Sequence, residues 1–199
     1  MKDGTAKIKA EQKATGHQDM NYRYYALNES EDEVKRVLQN SFSLPSFKIK
    51  DYALTPNNEL PETQIMLDLE VPKYASKGGK RLFISPNPIN QLTYVPRELE
   101  NRLLPIENRY AFSDVDVVTI EIPEGYEVES IPENNLMIEN DFGKYAITFE
   151  QKGNQLIYTR TMERKLFLFP KERYNDYREF LKVVSKADRM KVVLVSNQP

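Results

Sequence analysis

Apolar and polar residues alternate with a period of two along much of this chain, the signature of half-buried β-strands. Ala6, Ile8 and Ala10 alternate with Lys7, Lys9 and Glu11. Phe47, Ile49 and Asp51 alternate with lysines, and Ile65, Leu67, Leu69 and Val71 alternate with Met66, Asp68 and Glu70. Lys77-Gly78-Gly79-Lys80 reads as a turn, with Arg81 to Ser85 as its return strand. In the second half, Val115 to Ile122 and Tyr126 to Ile131 read as strands, closed by Pro123-Glu124-Gly125 and by Pro132. Tyr145, Ile147 and Phe149 alternate with Lys144, Ala146 and Thr148. Gly153-Asn154 is a two-residue hairpin signal, answered by a return strand from Gln155 to Glu163. Val192 to Val195 is a short buried strand.

The period changes to that of a helix twice. Ser30 with Glu33 forms a capping box, and Val34, Val37, Leu38 and Phe42 then recur on one face. This predicts a helix over about 31–43, ended by Pro45. Pro170 opens a second helix over about 171–188, with Tyr174, Tyr177, Phe180, Leu181 and Val184 as its apolar stripe. Thr15-Gly16-His17 is a turn, and the aromatic stretch from Met20 to Leu27 suits a strand with one wet face. The stretch from Pro86 to Pro105 holds four prolines and reads as a long loop carrying one short strand at Leu92 to Val95. The expected fold is mainly β, of the α+β class: an antiparallel, sandwich-like structure with two packed helices. It forms one module over residues 1–199, or two lobes, 1–105 and 106–199.

Composition narrows the chemistry. Lys and Arg number 28 against 30 Asp and Glu, a net charge of −2, so no basic excess exists to hold a nucleic-acid backbone. Cysteine is absent, which removes disulfides, thiolate metal sites and a cysteine nucleophile, but leaves the redox compartment open. No apolar run approaches the roughly 20 residues that span a bilayer as a helix. The start, Met1 to Lys7, lacks the apolar region of a signal peptide and runs quickly into a strand, so the expectation is a piece cut from a longer chain.

Few residues remain for chemistry. His17 is the single imidazole, and it follows Gly16 in a turn with no Gly-x-Ser-x-Gly elbow anywhere, so it reads as a loop residue. Asp114, Asp116 and Glu121 could supply paired carboxylates for hydrolysis, but fit a solvated strand edge better. Asn134, Asn135, Glu139, Asn140 and Asp141 gather oxygen atoms around a turn, which calcium could use. No Asp-x-Asp-x-Asp-Gly loop is present, and these residues are ordinary turn formers. Tyr22, Arg23, Tyr24 and Tyr25 could form an aromatic platform for a ligand such as a glycan. The Gly78-Gly79 turn has neither spacing of a phosphate loop. No catalytic residue, cofactor or metal is expected.

The run Ile122-Pro123-Glu124-Gly125-Tyr126-Glu127-Val128-Glu129, then Ser130-Ile131-Pro132 and Gly143-Lys144-Tyr145, has a recognisable order. So do Tyr174-Asn175-Asp176-Tyr177-Arg178-Glu179-Phe180, Lys186-Ala187-Asp188 and Val192-Val193-Leu194. Together they resemble the C-terminal β-rich domain of unknown function in bacterial transglutaminase-like proteins, most familiar from Bacteroidetes. The opening strand, Gly16, Arg23 and Arg102 with Pro105-Ile106 fit more loosely. In that family the catalytic Cys, His and Asp lie in a preceding papain-fold core, so the resemblance carries no catalytic residue onto this chain. It implies a non-catalytic accessory domain whose partner is that core, in an exported, periplasmic or surface-associated parent. A free-standing β-sandwich binding a glycan or peptide is the alternative, and a carboxylate hydrolase a third.

Overall fold

The computed structural model describes residues 4–42, 44, 46–132 and 135–197. Pro45, expected to end a helix, and Asn134 of the oxygen-rich turn lie outside the described residues. The chain divides into two compact units between Ala75 and Ser76. The division falls ahead of 105/106 because residues 81–84 pair with the strand at 192–196, which draws this stretch into the second unit.

In the first unit, β1 (Ala6–Thr15), α1 (Asp19–Asn28) and α2 (Glu31–Ser41) precede β2 (Lys48–Pro56) and β3 (Glu62–Val71). The sheet order is β1-β3-β2, antiparallel throughout. Central β3 buries Thr63, Ile65, Leu67, Leu69 and Val71 on one face, as its alternation requires. Val34 and Leu38 of α2 join this core with Phe47 and Ala14, while Tyr22 and Tyr25 pack half-buried against it. Ser30 caps α2 by accepting the Glu33 backbone N–H at 3.3 Å, but the Glu33 carboxylate is taken by Arg36.

Two local expectations change here. Residues 19–28 form a helix, not a strand, because Asp19 and Arg23 pair at i, i+4, Asp19 accepts from Thr63 of β3 and Arg23 donates to carbonyls of the β2–β3 connection. In β2 the register shifts between Ile49 and Asp51, so the inward positions after Ile49 are Tyr52 and Leu54, and Asp51 faces solvent.

The second unit contains β4 (Ser76–Gly78), β5 (Arg81–Ile84), β6 (Ile106–Asn108), β7 (Phe112–Glu121) and β8 (Tyr126–Ser130). It continues through β9 (Leu136–Glu139), β10 (Gly143–Lys152), β11 (Gln155–Arg164) and β12 (Phe167–Phe169). A short 3-10 turn (Lys171–Arg173) leads into α3 (Tyr174–Asp188), and β13 (Val192–Ser196) follows. Two four-stranded antiparallel sheets result, β7-β11-β10-β9 and β4-β5-β13-β8, with β12-β6 as a separate ladder. The protein is therefore mainly β and antiparallel, with helices near both expected places and α1 in addition. Leu92 to Val95 form no strand, because the backbone there bonds to a side chain of α3.

The core of this unit joins the inward faces of β10 (Tyr145, Ile147, Phe149) and β11 (Leu156, Tyr158, Met162) with Phe180, Leu181 and Val184 of α3. At one end Phe142 packs against Phe167, Phe169 and Tyr177, with ring centroids 5.4–5.6 Å apart. Gly143 beside it has no room for a side chain: a Cβ would lie 2.1 Å from the Glu163 carbonyl oxygen and 3.3 Å from the Phe180 ring. Gly143→Ala should therefore lower stability by about 1–3 kcal/mol. A urea unfolding curve checks this, and an unchanged midpoint would mean the two strands separate without cost.

Candidate functional site

The strongest polar feature of the second unit is buried. Period two places Arg160 on the inward face of β11, between Tyr158 and Met162. Its Nε and Nη2 donate to Asp188 at the end of α3, at 2.8 and 3.0 Å. Its Nη1 donates to Asp116 of β7 at 3.0 Å. Asp188 also accepts from the Tyr145 hydroxyl at 2.8 Å and from the Leu92 backbone N–H at 2.8 Å. Asn90 donates to Asp116 at 2.6 Å, and Asn87 braces Asn90 through two hydrogen bonds. Burial would lower the pKa of Arg160, but its bonds to Asp188 and both carboxylate charges outweigh that and raise it. Burial pushes the Tyr145 phenol upward, and the Asp188 charge adds to the shift. The Arg160 guanidinium and the Tyr145 phenol therefore stay protonated near neutral pH, and the node ties β7, β10, β11 and α3 together.

The aromatic segment of the first unit is split in role. Arg23 donates to Asp19 at 2.7 Å and to the backbone carbonyls of Asn57, Leu60 and Glu62 at 2.8–3.0 Å. It clamps the β2–β3 connection. Tyr22 and Tyr25 face the core, and Tyr24 alone of the three is well exposed, at 54%. Helical geometry thus sends the residues of the suggested platform in different directions. Asp19 is buried and also accepts from Thr63. Burial pushes its carboxyl upward, but the bonds from Thr63 and Arg23 and the Arg23 charge prevail, leaving its pKa below the ordinary carboxylate value.

The other candidates resolve locally. His17 is exposed in the turn between β1 and α1. Asp116 is not a solvated edge residue, since it faces Arg160. In the oxygen-rich turn, Asn140 accepts the backbone N–H groups of Phe142 and Gly143, and Asp141 pairs with Arg173 at 3.1 Å. Glu139 lies 3.7 Å from Lys165. No group of three or more metal-binding side chains occurs among the described residues.

One open concavity in the second unit brings together residues far apart in sequence. A groove of about 330 Å3 runs between the segment 94–107 and the start of α3. Tyr94, Pro96, Arg97, Leu99, Arg102 and Tyr177 line it, with Ile106, Glu107 and Tyr174. Its walls are held from behind. The Tyr174 hydroxyl donates to the Arg97 carbonyl at 2.6 Å, and Arg178 Nε donates to the Pro96 carbonyl at 2.9 Å. The Arg102 guanidinium lies 4.6 Å from the centre of the Tyr174 ring. Sequence reasoning missed both the groove and the node. The signal for the node was an arginine at an inward position of an otherwise apolar alternation. The groove has no local signal, because its two walls are far apart in sequence.

A family model described as a domain of unknown function (DUF3858) matches residues 80–194, more than half of the chain. The chain belongs to this family. Comparison with curated proteins and with solved structures finds no match. The matched span contains the node, the groove and the motifs from Ile122 to Leu194, whereas the sheet of β1, β2 and β3 precedes it.

Removing one partner of the node strands a buried charge. Asp188→Ala should cost about 3–5 kcal/mol of stability. Asp188→Asn, which keeps an oxygen for Leu92, should cost less, and calorimetric melting of the two variants compares them. Asp19 gives a pH signature. Its native pKa lies below the unfolded value, so its contribution is complete above the unfolded pKa and is lost as pH falls through the native one. Unfolding free energy should decline more steeply between about pH 5 and pH 2 in the wild type than in Asp19→Asn. Parallel pH profiles would contradict this assignment.

Proposed function

We propose that this chain is a non-catalytic accessory module of a transglutaminase-like, papain-fold protein, exported to the periplasm or cell surface. It acts by surface burial against the core, positioning or stabilising it, and carries out no bond chemistry of its own. The resemblance in the motifs from Ile122 to Leu194 supplies the context. The observation that carries the reading is an exposed apolar surface on the second unit.

Leu103 and Leu104 precede β6 and are 82% and 71% exposed. Leu168 of β12 is 66% exposed and pairs directly across from Glu107 of β6. Leu166 and Tyr110, at the other end of the same ladder, are also exposed, and Asn108 braces that end by donating to the carbonyls of Tyr110 and Lys165. Single exposed leucines are ordinary, but five large apolar residues around one two-stranded ladder suit a docking surface.

Titration calorimetry of the chain against a separately expressed transglutaminase-like core from the same genome tests this. Saturable binding is expected, weakened at least tenfold in a Leu103→Asp, Leu168→Asp double variant that still folds. Absence of binding, or binding indifferent to these changes, would overturn the reading.

A further inference from the structure

The groove between 94–107 and α3 has properties that docking against a core does not require. The geometry points to a binding site for a short peptide that presents a carboxylate beside an aromatic or aliphatic side chain.

The charge argument comes first. Two guanidiniums line the groove, those of Arg97 and Arg102. Arg102 donates from Nε and Nη2 to the carbonyls of Leu104 and Pro105, which carry no net charge. The Arg97 side chain has no hydrogen-bond or ion-pair partner among the described residues. Glu107, the carboxylate among the lining residues, is paired with Arg109 at 2.9 Å. The groove lining therefore sets two guanidiniums against one carboxylate that is already paired, and a guanidinium has the planar form that suits a carboxylate.

The remaining walls select the body of the ligand. Pro96, Leu99 and Ile106 are apolar, and the rings of Tyr94, Tyr174 and Tyr177 add flat surface. The polar ends of two of these tyrosines are already used: Tyr174 donates to the Arg97 carbonyl, and Tyr177 accepts from Arg164 at 2.6 Å. A sugar needs several neutral donors and acceptors for its hydroxyls, and these walls hold few. A hydrophobic side chain next to a carboxylate meets every feature present. The volume, about 330 Å3, is near the small end of ligand pockets and suits one or two residues of a peptide. The bonds behind the walls leave little to order on binding, which favours affinity in a small site.

The test uses the whole chain, labelled with nitrogen-15, and three probes: N-acetyl-glycyl-phenylalanine with a free carboxylate, its C-terminal amide, and a glucuronic-acid disaccharide. The free acid is expected to shift amide resonances confined to 94–107 and 174–178, with affinity that falls as salt is raised. The amide should bind at least tenfold more weakly. Arg97→Ala should weaken the acid at least tenfold, leave the amide unchanged and preserve the melting temperature, because the Arg97 side chain bonds to no other group among the described residues. Equal binding of acid and amide, preference for the uronate, or no shifts at millimolar peptide would each overturn the proposal. Arg97→Ala leaves Leu103 and Leu168 intact, so failure here is separable from failure of core docking.

Discussion

A guanidinium on the inward face of a central strand is tolerable only if its charge is answered on the spot. Arg160 meets that condition with two carboxylates from two other elements, Asp188 from α3 and Asp116 from β7. The same contacts fix much of the second unit. They set where the end of α3 lies on the sheet, since Asp188 must reach both Arg160 and the Tyr145 hydroxyl. They also fix the segment after β5, through Leu92 on Asp188 and Asn90 on Asp116. An apolar contact would hold these parts together but would not specify one arrangement so narrowly.

That anchoring explains how a proline-rich stretch takes a defined path without secondary structure. Between β5 and β6 the backbone has few ladder bonds available, yet buried N–H and C=O groups still need partners. Side chains supply them. Asn87 and Gln91 bond within the segment, Asp188 receives Leu92, and Arg178 and Tyr174 hold the carbonyls of Pro96 and Arg97. The prolines limit the conformations that these few bonds must select among.

Where the deciding contacts are local, the fold was legible in the sequence. Ser30 with Glu33 marked the start of α2, and Gly153-Asn154 marked the two-residue turn of the β10–β11 hairpin. The alternation from Ile65 to Val71 gave the buried face of β3. Where the deciding contacts are remote, it was not. Met20 to Leu27 has no apolar stripe of its own, and it is helical because Arg23 reaches carbonyls near residue 60. Leu92 to Val95 looks like a strand, but its partner is a carboxylate on α3, not another strand. In β2 a single shift of register after Ile49 moves the inward positions onto Tyr52 and Leu54. The candidate site follows the same rule. Tyr22 to Tyr25 was conspicuous because its residues are adjacent in sequence, yet one helical turn disperses them. The groove joins Arg97 to Tyr177 across most of the family domain, and adjacency in sequence carries no trace of that.

The two units reach the same solution independently. In each, a buried aspartate takes an arginine, and the pair immobilises a connection that lacks regular structure. Asp19 and Arg23 hold the turn between β2 and β3. Asp188 and Arg160 hold the segment after β5. In the first case the arginine spends its donors on backbone carbonyls and becomes part of the scaffold. In the second, Arg160, Arg178 and Tyr174 do the holding, and that frees Arg97 from any structural duty. A cation carried on a braced backbone, and unpaired among the described residues, is what a recognition site needs and a purely structural loop does not.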